Sequence, residues 1–164
     1  MPASEKEQFL SKWEREFHTT LRVLKAFPAG KEDLRPHHKC KTAKELAFVF
    51  LAEEHAFIDG VLAGKIDFQN SPPMPPTVAG IVAELLRVHA ANVLKLKNMT
   101  DAQYNAKLKF FVAPKTPGDV RAGDLLWIFL NDCIHHRGQF SIYLRMADGK
   151  VPSIYGPTAD EPWM

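Results

Sequence analysis

Apolar residues recur at helical spacing in four long stretches of this chain, separated by segments rich in proline and glycine. The first stretch carries Leu10, Trp13, Phe17, Leu21 and Leu24 before Pro28. Ser4, with Glu7 three residues on, is the reciprocal side-chain and backbone cap that starts a helix. From Phe27 to Lys41, Pro28, Gly30, Pro36 and the pair His37-His38 read as a surface connection. Thr42 and Glu45 repeat the cap signature, and Leu46, Val49, Phe50, Phe57 and Val61 trace a second helix ending near Gly64. Residues 71–76 hold four prolines. Each ring removes a backbone donor and biases its predecessor toward extended structure, so this segment separates the second helix from the third.

Thr77 is placed to cap a third helix marked by Ile81, Leu85, Val88, Asn92 and Leu96, ending before Asn98. Thr100 with Gln103 fits a further short helix, and the run at 108–112, Leu-Lys-Phe-Phe-Val, fits a short extended piece before Pro114 and Pro117. A fourth long helix is predicted from Asp119 through Leu125, Phe129, Asp132, His136, Phe140 and Tyr143, with Gly149 as its C-terminal cap. The tail after it is too apolar to hang free and is expected to fold back. The pattern predicts a single all-α domain over residues 1–164, a four-helix bundle with a long connection between helices two and three.

At 164 residues, 46% hydrophobic and 24% charged, the chain can bury a core without disulfide or structural-metal staples. Its net charge of +2 is interspersed, with no basic stripe to neutralise a row of phosphates, which argues against a nucleic-acid partner. No apolar run is long enough to span a bilayer and none near the start reads as a signal peptide, so a cytoplasmic protein is expected. Cys40 and Cys133 are distant and form no CxxC pair, which argues against a disulfide framework or a zinc knuckle.

Core positions of packed helices should be apolar, because an unpaired buried charge costs several kcal/mol or shifts its pKa. Polar residues on an apolar stripe are therefore informative. Asp132 and His136 are four apart on the stripe of the last helix, with Cβ atoms about 5–6 Å apart. A carboxylate beside an imidazole suits a divalent cation such as zinc, nickel, manganese or iron. The same pair could instead satisfy itself by an internal hydrogen bond. On helix two, Glu53 falls one turn after Val49 and one before Phe57, on the stripe, or else at a partly solvated edge. Glu54 should point aside and His55 lie off the stripe. His89, beside Val88 and Asn92, could reach the same interior, and His37 and His38 should be solvated.

The string IHHRGQFSIYLR at 134–145, the lead-in RPHHKCKTAKEL and the tail VPSIYGPTADEP resemble the DinB family, also called the DNA-damage-inducible family and unrelated to the polymerase of that name. The resemblance implies a DinB-like four-helix bundle, commonly a homodimer, holding a metal through one histidine on helix two and an HxxxH pair on helix four. It further implies a metal-dependent hydrolase or transferase acting on a small-molecule substrate, in some relatives with a low-molecular-weight thiol. His136 matches the second helix-four ligand, but Asp132 stands where the first histidine would be, and the helix-two position falls on Val49 or Phe50. The expected metal set here is thus Glu53, Asp132 and His136, with transfer of a thiol or another group to a small electrophile. The other reading is a non-enzymatic, stress-linked bundle that has lost its metal. His135, Arg137 and Tyr143 are expected to be available for interface contacts, and Gln139 to hydrogen-bond near the site.

Overall fold

In the computed structural model, which describes residues 3–164, the four long helices form where the apolar pattern places them. Helix α1 spans Glu5–Lys25, α2 Ala43–Ala63 and α3 Val78–Asn98; a short α4, Asp101–Asn105, precedes the strands β1, Lys107–Ala113, and β2, Thr116–Arg121; α5 runs from Ala122 to Met146. The reciprocal caps at Ser4/Glu7, Thr42/Glu45 and Thr100/Gln103 are all made, so one orphan donor and the cap's own N–H are satisfied at each start. Thr77 accepts from the Gly80 N–H at the head of α3. Gly64 ends α2 in the left-handed conformation, φ 74°.

Two boundaries differ from the sequence expectation. The extended piece is half of an antiparallel hairpin, so the chain is mostly helical rather than all-α. Its strands pair from Lys107 opposite Arg121 to Ala113 opposite Thr116, with a bulge between Phe111 and Ala113. Asp119, expected to open the last helix, lies in β2 opposite Lys109, and the helix begins three residues later. At the other end Gly149 is not the left-handed residue. Asp148 takes that conformation, φ 61°, and the N–H groups of Asp148 and Gly149 donate to the carbonyls of Arg145 and Leu144. Gly149 is needed for closeness instead: a Cβ there would overlap Leu144 and approach the Ala26 carbonyl oxygen.

α1 packs on α3 and α5, and α2 packs on the same two helices, so α1 and α2 face each other across the interior. One core cluster gathers Phe17, Leu24, Phe50, Ile81, Leu85 and Phe140 with others; a second gathers Phe9, Trp13, Ile58, Leu125 and Phe129 toward the hairpin end. No helix among the described residues is long and apolar enough to cross a membrane. The tail does fold back. Arg145 pairs with Asp160, Arg22 pairs with Glu161, and the Tyr155 hydroxyl reaches between α1 and α5.

Candidate metal centre

α2 is apolar on nearly every face, so spacing alone leaves its rotation ambiguous, and packing resolves it toward Ala47, Phe50, Leu51, Glu54, Ile58 and Val61. Glu54, expected to point aside, is therefore the buried acid, 3% exposed, and Glu53 sits at the edge of the buried face, toward α5. Glu54 Oε1 lies 2.9 Å from His89 Nδ1. The His89 ring stacks on Phe17 and also meets Trp13. Burial raises the Glu54 pKa, partly offset by His89. His89 thus serves Glu54 and does not join the other candidate ligands. His55 pairs with Asp59, and His37 and His38 are solvent-exposed, as expected.

Glu53, Asp132 and His136 do come together. His136 Nδ1 is 3.7 Å from Glu53 Oε2 and 3.8 Å from Asp132 Oδ2, and one ligand atom from each of the three lies within 4.8 Å of the others. Neither of the two measured separations is short enough for a hydrogen bond, so the internally bonded Asp132–His136 pair is not what forms. Both Glu53 Oε2 and His136 Nδ1 are buried without a hydrogen-bond partner among the described residues. Leaving such atoms unpaired costs about 1–3 kcal/mol each. Two ligand atoms each about 2.1 Å from one cation at a tetrahedral angle are ~3.4 Å apart, close to what is observed. The donor set, two carboxylates and an imidazole, suits a hard or borderline divalent ion. Asp132 is the solvent-facing member, its side chain 44% exposed against 17% for His136 and 14% for Glu53.

The electrostatics agree with the geometry. Burial, reinforced by the neighbouring Asp132 and opposed by His136, pushes Glu53 up to about 6. The Glu53 carboxylate beside it raises His136 against the effect of burial. Cys133, next to Asp132 in sequence, has its thiol pushed well up by burial and by the acids Glu53, Glu54 and Asp132, which makes it inert. Phe50 sets its ring edge-on to His136, centroids 6.3 Å apart, at one of the two positions where the family resemblance would place a histidine.

The neighbours of His136 correct other expectations. Arg137 is 1% exposed and Tyr143 6%, so neither is available for an intermolecular contact. Arg137 reaches α1, donating to Glu16 Oε2 at 2.7 Å, to the Glu16 carbonyl and to Thr20, and it meets the Tyr155 hydroxyl at 2.6 Å. The sequence signal for this pair was Glu16, an acid set among Trp13, Phe17 and Thr20 on the first apolar stripe. His135 is exposed, and Gln139 lies 2.9 Å from it rather than from the metal candidates.

The family model described as the DinB family matches residues 1–163. Protein YrdA of Bacillus subtilis (strain 168) is 27% identical over 161 residues, covering 94% of this chain and 90% of that protein. The crystal structure of a DinB-like protein, YjoA, from Bacillus subtilis superposes with a TM-score of 0.72 at 20% identity, over 86% of this chain and 92% of that one. That of a DinB-like protein from Bacillus cereus ATCC 10987 gives 0.74 at 22% identity, over 90% and 95%. These two share the fold of this chain. Matched along all but its final residue, the chain belongs to the DinB family.

Proposed function

We propose that this DinB-family chain is a metal-dependent enzyme, a four-helix bundle working as a homodimer, that transfers a thiol or another nucleophilic group to a small electrophile. Glu53, Asp132 and His136 would hold one zinc, nickel, manganese or iron ion. A divalent ion so held acidifies a bound water or thiol toward neutrality. The observation that carries the reading is the pair of buried atoms Glu53 Oε2 and His136 Nδ1, 3.7 Å apart and without a hydrogen-bond partner among the described residues, with Asp132 beside them. Phe50 walls the imidazole off on the core side. A substrate would reach the ion from the surface clefts that Glu53 and His136 line. The chain's departure from a three-histidine site, with Val49 and Phe50 on helix two, supports the rival reading of a non-enzymatic bundle. Elemental analysis of tag-free protein, purified natively and after reconstitution, separates the two. Near-stoichiometric transition metal that is lost in His136→Ala supports the enzyme. Folded protein that takes up no metal overturns it.

A further inference from the structure

The segment just before α2 lines clefts beside the metal centre and is held in place by hydrogen bonds. The Lys41 carbonyl accepts from the Tyr143 hydroxyl at 2.9 Å, Cys40 N–H donates to the His37 carbonyl, and Ala43 N–H donates to that of Leu34. Two open clefts, of ≈ 540 and ≈ 350 Å³, are both lined by Cys40 and Lys41. Glu53 lines the larger and His136 the smaller, so the clefts flank the same site. The larger is within the ordinary range for small-molecule sites.

Its lining divides into two chemistries. Phe48, Val49 and Ala52 of α2, with Phe68 and Met74 of the following connection, make an apolar wall, and Phe68 and Met74 are 50% and 43% exposed. Lys39 and Lys41 stand at the rim, and neither they nor nearby Arg35 take part in any ion pair among the described residues. Lys41 is close enough for its charge to act on both Glu45 and His136. Glu45 also lines the cleft, but its carboxylate is turned back to accept the Thr42 N–H at 2.7 Å. Uncommitted cations beside an apolar wall favour a ligand that is anionic at one end and apolar at the other.

We propose that this cleft binds a small amphipathic anion, an organic acid whose carboxylate sits against Lys39 and Lys41 while its apolar body lies along Phe48, Val49, Phe68 and Met74, beside Glu53. That such a ligand is the substrate rests on the metal-centre reading; that it binds does not. The test uses octanoate, octan-1-ol and octylammonium as matched probes in calorimetric titrations, each with the protein kept in EDTA and with the protein reconstituted with zinc. Octanoate should bind about tenfold or more tighter than the other two, and the double variant Lys39→Gln/Lys41→Gln should lose that preference while still binding octanol. Ala52→Phe, which fills the apolar wall, should weaken all three. Octanol binding as well as octanoate, a preference that survives in the double variant, or no binding at all would each overturn the proposal. Octanoate binding in EDTA by a protein that takes up no metal would sink the enzyme reading and leave the cleft assignment standing.

Discussion

Replacing Arg137 by methionine tests the most deeply buried charged side chain among the described residues. Its side chain is 2% exposed and that of Glu16 3%, joined at 2.7 Å, with the Tyr155 hydroxyl 2.6 Å from Glu16 Oε2. Burial pushes Glu16 upward, but Lys12, Tyr155 and Arg137 together outweigh it and hold the carboxyl at about 2, against 4.5 ordinarily. At about 1.4 kcal/mol for each tenfold change in proton affinity, that is ~3 kcal/mol favouring the folded state once the group is ionised. Removing Arg137 takes away one of those three partners, with Lys12 still 2.7 Å from the other Glu16 oxygen, so the cost should be a part of the ~3–5 kcal/mol of a fully broken buried pair, about 2 kcal/mol. Because the folded pKa lies below the unfolded one, the stabilisation is fully present above pH 4.5 and is lost as pH falls toward 2. Urea unfolding followed by circular dichroism from pH 7 to pH 2.5 should show Arg137→Met less stable than the parent by about 2 kcal/mol at neutral pH, with the gap narrowing in acid. The double variant Glu16→Met/Arg137→Met should recover much of the loss, since paired removal leaves no stranded charge. A single-variant cost below about 1 kcal/mol, or a gap that does not change with pH, would refute the reasoning.

Tyr155→Phe removes the hydroxyl that bridges the same pair from the tail, and urea melts should register about 1–3 kcal/mol, with faster proteolysis after residue 150. Gly149→Ala must push Leu144 or the Ala26 carbonyl aside and should cost about 1–3 kcal/mol in the same assay; an unchanged midpoint would mean that the helix end relaxes freely. His136→Ala removes one of the atoms stranded without a metal, so metal-free protein should melt no lower than the parent while metal-dependent stabilisation disappears; a large loss in EDTA would mark His136 as a packing residue. Sedimentation at micromolar concentration should give a dimer, with Ile128, Ile142 and Met146 on the exposed face of α5 as the apolar surface available to it; a clean 18.5 kDa species would refute that expectation.

What the sequence determined by itself was local. Ser4 with Glu7, Thr42 with Glu45, Thr100 with Gln103, and Gly64 each act within about one helical turn, so their geometry follows from neighbours along the chain. The 132/136 spacing likewise fixed two side chains on one face before any packing was known. Tertiary structure decided the rest. Every face of α2 is apolar enough to be buried, and only its seat between α3 and α5 chose Glu54 for the core and Glu53 for the edge. Residues Thr116–Arg121 form a strand because Lys107–Ala113 lies across from them, which a single strand's sequence does not encode. Arg137 reads as a surface cation until Glu16, 121 residues away, and the returning Tyr155 supply the acceptors and the opposite charge that let it be buried. Burial of a charge depends on partners distant in sequence, and those are brought near only when the helices pack.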